Sequence, residues 1–290
     1  MARIGVLGPG GIGGLLAARF GAAGHDVTVV ATEASAAALT VRGLHLTGPD
    51  GATTVTRPLA RPWLTDPVDL LVVAVKATDL LPALARVPAA VLGGATLVPF
   101  LNGVDHPALL RAAYPGAVVV PASIAVEATR HRAGVIEHLS PFADIVVANG
   151  TPAGAAAVDL FASTGLRVTG HPDESAVLWR KLAFLAPLAL STTVADAPIG
   201  PARTGHPERL RALVEETVAA AGTAGVDIDA DAVAARLDAL PATMQSSMLK
   251  DRRSGRPMEL DAIAGPIVRA LGADRAPATA EVTGAILAAT

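Results

Sequence analysis

Gly8, Gly10 and Gly13 stand in G-x-G-x-x-G spacing, and each position has a mechanical reading. A glycine at the first allows a tight turn. One at the second lets main chain approach a pyrophosphate, and one at the third lets a helix pack close to the preceding strand. Far along the chain, Lys181 lies in the apolar stretch Leu178-Trp179-Arg180-Lys181-Leu182-Ala183. An ammonium there is costly unless it faces a cleft. Two further stretches interrupt apolar sequence with polar residues, Ser246-Ser247-Met248-Leu249-Lys250-Asp251 and Arg256-Pro257-Met258-Glu259-Leu260-Asp261. Lys76 and Asn102 each follow an apolar run that reads as a strand.

These residues need elements to hold them. Ile4-Gly5-Val6-Leu7 reads as a buried strand, and Leu15 to Phe20 as an Ala/Leu-rich helix that Gly24 ends. The β-branched run Val27–Val30 reads as a second strand. This βαβ setting is what makes the glycine pattern a dinucleotide turn whose helix start faces the phosphates. Asp69–Lys76 is a continuous apolar run with a charge at each end, the pattern of a strand buried on both faces of a parallel sheet. Thr96–Leu101 is another, with Val118–Val120 and Ile145–Val147 adding to the β content and Leu44–Leu46 and Thr53–Thr56 as short strands. Ligands of open α/β sheets bind beyond the carboxyl ends of strands, where Lys76 and Asn102 fall. From Glu174 the pattern turns helical, with helices expected over 174–190, 207–224, 229–239, 260–271 and 278–289. Pro187 is expected to bend the first of these and Pro241 to stop the third. The expected fold is an α/β Rossmann domain over 1–170, doubly wound with a mostly parallel sheet, followed by an all-helical domain over 171–290. Catalysis is expected in a cleft between them.

Composition excludes several classes. The net charge of −3 argues against a broadly basic nucleic-acid surface. No run of 18 purely apolar residues suggests a membrane span, and the chain enters a strand at once, with no secretory pattern. Zero cysteines excludes disulfides, thiolate zinc sites and a cysteine nucleophile, and fits a cytoplasmic location. The seven histidines show no metal-ligand spacing, so no metal is expected. Neither G-x-S-x-G nor a Walker A sequence is present.

Taken together, GPGGIG at 8–13, VKATD at 75–79, LNG at 101–103, LWRKL at 178–182, SSMLKD at 246–251 and MELDAIAG at 258–265 resemble the ketopantoate reductase (2-dehydropantoate 2-reductase) family of the 6-phosphogluconate dehydrogenase-like superfamily. The resemblance covers nearly the whole chain. It implies NADPH-dependent reduction of a 2-oxo acid, 2-dehydropantoate to pantoate on the route to pantothenate. By the same resemblance, the turn Gly8-Pro9-Gly10-Gly11-Ile12-Gly13, Thr32, Lys76 and Asn102 bind the cofactor. Asn102, Lys181, Ser247 and Glu259 bind the substrate, with Lys181 and Glu259 catalytic. The physical logic agrees, because hydride arriving at a carbonyl carbon builds negative charge on oxygen that a positioned ammonium stabilises and then protonates. Taken alone, Ser247 would read as a helix cap and Glu259 as a first-turn acid.

The chain departs from the family pattern at the substrate and at the ribose. Family asparagines four and eight residues after the lysine are here Leu185 and Ala189, and a third is Met244. An apolar wall there favours a less polar ketone. A paralogous 2-oxo-acid or β-hydroxyacid dehydrogenase, or a non-catalytic dinucleotide sensor, is therefore kept as an alternative. Thr32 stands where the family has an arginine for the 2′-phosphate, and Glu33 suits a ribose hydroxyl. NADP is expected, with NAD as the alternative and Arg42 as the nearest later basic residue. The expected partner is a small 2-oxo acid, without nucleic acid or membrane, and a homodimer is kept open.

Overall fold

Strands Arg3–Leu7, Asp26–Val30 and Leu70–Val73 pair in parallel, with Ile4 opposite both Val27 and Leu70. In this computed structural model, which describes residues 1–289, they form the centre of a six-stranded parallel sheet. Its order is Leu59–Arg61, Asp26–Val30, Arg3–Leu7, Leu70–Val73, Thr96–Pro99 and Val118–Val119. The order reverses between Arg3–Leu7 and Leu70–Val73, which puts the glycine turn and the segment before Lys76 at the switch point of a Rossmann sheet. Alternation along the strands splits the core in two. Ile4, Val6, Leu70 and Val72 join one buried cluster, and Leu7, Leu71, Val73 and Leu97 join another. The first contains a run of rings, Phe20 to Phe161 at 5.2 Å and Phe161 to Phe100 at 5.4 Å.

Two smaller sheets complete this unit. One runs Ala128–Arg132, Val135–His138, Leu44–Thr47 and Thr53–Thr56. In the other, Asp144–Ala148 pairs in parallel with Arg167–His171 and antiparallel with Ala122–Ala125. Sequence patterning marks Leu44–Leu46 and Ile145–Val147 but not Ala128–Arg132, at the edge of the first sheet, or Arg167–His171, the parallel partner of Asp144–Ala148. Those two strands carry charged and small residues and expose most of their positions.

The chain forms two compact units, Met1–Leu101 with His106–Val177, and the loop Asn102–Asp105 with the residues from Leu178 onward. The division at Val177/Leu178 falls inside the helix Glu174–Val194. Among the described residues the second unit contains helices only: the remainder of that helix, Ile199–Gly205, Pro207–Thr223, Ala230–Asp238, Ser247–Arg253, Leu260–Leu271 and Pro277–Ala288, with a 3-10 turn at Ala273–Arg275. The long helix continues through Pro187 to Val194, four residues beyond its expected end. It is long and apolar enough to cross a membrane by composition, but 72% of that stretch is buried inside the fold, so its apolar surface is spent on the core. Ile199–Gly205 and Ser247–Arg253 lack a readable period because each has only seven residues.

One buried carboxylate holds this unit together. The helix Pro277–Ala288 starts after Ala276, which has no side chain to cap it. Glu216, on Pro207–Thr223, takes that role. It accepts from the Ala278 and Thr279 amides at 2.8 Å each and from the Thr279 hydroxyl at 2.6 Å. Glu216→Ala would strand buried donors, and should lower the unfolding free energy by about 3 kcal/mol. A urea titration reads this as a lower midpoint; an unchanged midpoint would mean that other groups satisfy the helix start.

Candidate active site

The glycine turn separates into positions that fold demands and one it does not. Gly8 has φ +88, and a Cβ there would stand 2.5 Å from a Val75 methyl. A Cβ on Gly13 would lie 2.1 Å from the Gly8 carbonyl oxygen. Gly11 is packed against the Ala128 carbonyl, 2.1 Å from where its Cβ would be, and Gly14 against Ile136. These contacts seat the helix Gly11–Ala22 between the turn and the sheet containing Ala128–Arg132. Gly10 differs: a Cβ built on it meets nothing within 4 Å, and its φ of −74 suits any residue. The space before Gly10 is open, and no side chain caps the helix start behind it, so the backbone amides there are left for an anion. The turn thus fits a dinucleotide.

Thr32 and Lys76 stand at two other strand ends of the same unit. Thr32 caps the helix Glu33–Arg42, its hydroxyl accepting from the Ser35 amide. Glu33 is held by Arg86, at 3.2 Å and 3.4 Å between paired atoms. Its carboxyl is kept below the usual range by its own backbone amide and then by that guanidinium. Arg86 has no sequence signal, because only tertiary folding brings it to this corner. Lys76 is half-buried and begins the 3-10 turn Ala77–Asp79, three residues past the end of Leu70–Val73.

The second unit gathers Asn102, Lys181 and Glu259. The Asn102 amide donates to a Glu259 carboxylate oxygen at 3.0 Å across 157 residues of sequence. Glu259 is buried and precedes the helix Leu260–Leu271 without capping it by its side chain. Its carboxylate is thus directed at the cluster rather than at the helix start, unlike an ordinary first-turn acid. The loop Asn102–Asp105 is fastened to that helix at two more points. Gly103, at φ +87, lies so close that a Cβ would sit 2.4 Å from the Ala262 carbonyl oxygen. Arg269 donates to Asp105 at 2.5 Å and to Asp261 at 2.8 Å. Asp105 and Arg269 escape sequence reading because nothing in their spacing announces a clamp.

Lys181 is half-buried by area on the helix Glu174–Val194, and the protein packed around its ammonium dominates its acidity. Burial pushes its pKa down to about 8, and the Glu259 charge works against that fall. Ser247 is exposed at the first position of Ser247–Arg253. The cap of that helix is its neighbour Ser246, buried, which accepts from the Leu249 amide at 3.1 Å and bonds the Thr192 hydroxyl at 2.7 Å. Leu185 is half-buried, Ala189 is buried, and Met244 packs with Leu188, Ile199, Leu210, Val214 and Leu237. Among the described residues, no group of three His, Asp or Glu side chains could hold a metal ion.

A Rossmann sheet with this turn, together with a depressed lysine beside a buried carboxylate, defines an oxidoreductase that works with a nicotinamide dinucleotide. Two family models match the chain, ketopantoate reductase PanE/ApbA over residues 4–151 and ketopantoate reductase PanE/ApbA C terminal over 174–289. The chain belongs to this ketopantoate reductase family. It is 33% identical over 279 residues to the 2-dehydropantoate 2-reductase of Caulobacter vibrioides, covering 93% of this chain and 92% of that protein. Its fold matches the crystal structure of a PanE/ApbA family ketopantoate reductase from Ralstonia eutropha JMP134 with a TM-score of 0.87 at 23% identity, over 99% of this chain and 97% of the other. It also matches, with a TM-score of 0.87 at 19% identity and the same coverage, the ternary structure of D-mandelate dehydrogenase with NADH and anilino(oxo)acetate. At these identities the two structural matches establish shared fold.

Proposed function

We propose that this chain reduces the ketone of a 2-oxo acid to a hydroxyl, with NADPH as reductant and 2-dehydropantoate as substrate. The observation that carries the reading is the cluster of Lys181, Glu259 and Asn102. A bound nicotinamide supplies the hydride to the carbonyl carbon. The residues of this chain handle the charge and the proton. The Lys181 ammonium faces the oxygen on which negative charge grows, stabilises it and transfers a proton to it, leaving the hydroxyl product and a neutral amine. With a pKa of about 8 it is still mostly protonated at neutral pH, yet a stronger acid than an exposed lysine. Glu259 keeps the ammonium charged and offers an acceptor to a substrate hydroxyl. Asn102 fixes the orientation of that carboxylate through its amide. Gly8, Gly10 and Gly13 accommodate the pyrophosphate, with Pro9, Gly11 and Ile12 completing the turn. Lys76 lies on the cofactor side, and Ser247 offers its hydroxyl to the substrate.

Leu185, Ala189 and Met244 favour a second substrate, an aryl or branched 2-oxo acid, because they put hydrocarbon where the family has amides. Oxidation of NADPH and NADH by the purified protein decides between them. Efficient turnover of 2-dehydropantoate supports the first substrate. Turnover of phenylglyoxylate without 2-dehydropantoate activity supports the second, and no turnover of either acid removes the 2-oxo-acid reading.

A further inference from the structure

The corner beyond the strand Asp26–Val30 carries a guanidinium that the reaction chemistry does not use. Glu33 lies 20 residues after Gly13, the place from which an acidic side chain meets the ribose of a bound dinucleotide. Arg86 reaches the same corner from the turn after the helix Leu80–Leu84. Its hold there does not depend on Glu33. One guanidinium nitrogen donates to the carbonyl oxygens of Ala31 at 3.3 Å and Pro62 at 3.0 Å, and the group lies 5.6 Å from the ring of Trp63. The Arg86 side chain is 23% exposed and that of Glu33 68%, so the cation is seated while the carboxylate is the outer member of the pair. The Thr32 and Ser35 hydroxyls are exposed beside them, 3.1 Å apart.

We propose that Arg86 is the residue that takes the 2′-phosphate of NADPH, with the Glu33 carboxylate as an exchangeable occupant of the same guanidinium. This rests on the dinucleotide reading of the glycine turn. The carboxylate is the exposed member of the pair and is weakly held, so a phosphate dianion displaces it at little cost. The planar guanidinium suits phosphate as it suits carboxylate. The Thr32 and Ser35 hydroxyls are additional donors to the phosphate. When the ribose carries a free 2′-hydroxyl instead, Glu33 stays on Arg86 and accepts from that hydroxyl. The pair thereby sets the preference for NADPH over NADH in a chain that has Thr32 where the family has arginine.

The test is fluorescence titration of NADPH and NADH against the wild type, Arg86→Met and Glu33→Gln. Losing a charge-assisted fork to the phosphate should weaken NADPH about tenfold or more in Arg86→Met. NADH affinity in that variant should change by no more than about threefold. Glu33→Gln should move the other way, tightening NADPH relative to NADH. Because Arg86 also ties two loops together, Glu33→Gln, at an exposed position, keeps the proposal testable if Arg86→Met fails to fold. Equal changes for both nucleotides in Arg86→Met, or no gain for NADPH in Glu33→Gln, overturn the role of Arg86 alone. A wild type that binds neither nucleotide overturns the dinucleotide reading and this proposal with it.

Discussion

Lys181→Ala is expected to lower turnover of the 2-oxo acid by about 10³-fold, within the range that general acid catalysis and charge stabilisation supply. Affinity for NADPH should stay near that of the wild type, since the glycine turn belongs to another part of the chain. The pH dependence is a second readout of the same role. The reduction needs the ammonium form, so kcat/KM should fall as pH rises through about 8, about tenfold per unit above it. Oxidation of the alcohol needs the neutral amine, and should rise over the same interval to a plateau. The sign follows from the cause: burial disfavours the charged lysine, and Glu259 offsets only part of that penalty. Glu259→Gln should therefore move the fall in kcat/KM to lower pH, as the stabilising charge is removed. A flat wild-type profile from pH 7 to about 9.5, or a Lys181→Ala protein that keeps its turnover, would sink the assignment of Lys181 as the acid.

Gly10→Ala and Gly13→Ala are expected to fail in opposite ways, although the residues are three apart in one motif. At Gly10 the added methyl enters open space at a φ of −74 that alanine adopts freely. Thermal stability should be unchanged or slightly raised, because alanine reduces the freedom of the unfolded chain. The same methyl occupies the approach to the pyrophosphate, so nucleotide affinity should drop by about tenfold or more. At Gly13 the methyl would stand 2.1 Å from the Gly8 carbonyl and 3.1 Å from the Ala74 side chain. The helix must then move off the strand, and the loss of stability should be about 1–3 kcal/mol or more. Melting curves with and without NADPH separate the two. Gly10→Ala should melt like the wild type but gain little from nucleotide, and Gly13→Ala should melt early in both conditions. Equal melting and equal nucleotide affinity for Gly10→Ala and the wild type would show that the space before Gly10 is not where the phosphates go.

The sequence by itself determined the local features that repeat or punctuate. Continuous apolar runs located the central strands, Gly24 ended the first helix, and the six motif stretches carried the family. Lys181 was legible because an ammonium in an apolar helix is exceptional. The sequence left the partners of these features unassigned. Nothing local marks Glu216 as the cap of a helix that starts 61 residues later, since Ala276 and Pro277 look like a loop. Ser246 and Ser247 are equivalent in sequence, and only the packing of Thr192 against Ser246 makes the first one the buried cap. Ala128–Arg132 and Arg167–His171 gain their strand character from neighbours rather than from their own residues.

Tertiary structure alone decided the chemistry of charge. Glu33 reads from sequence as a partner for a ribose hydroxyl, yet the folded chain sets Arg86 against it from 53 residues away. Glu259 and Asn102 become a hydrogen-bonded pair because Gly103 can approach the Ala262 carbonyl and Arg269 can bridge Asp105 to Asp261. The reason is common to both cases. Backbone periodicity is set by neighbours a few residues apart, and is written in the sequence. Electrostatic environment depends on distance and burial in space, and exists only once the chain has folded.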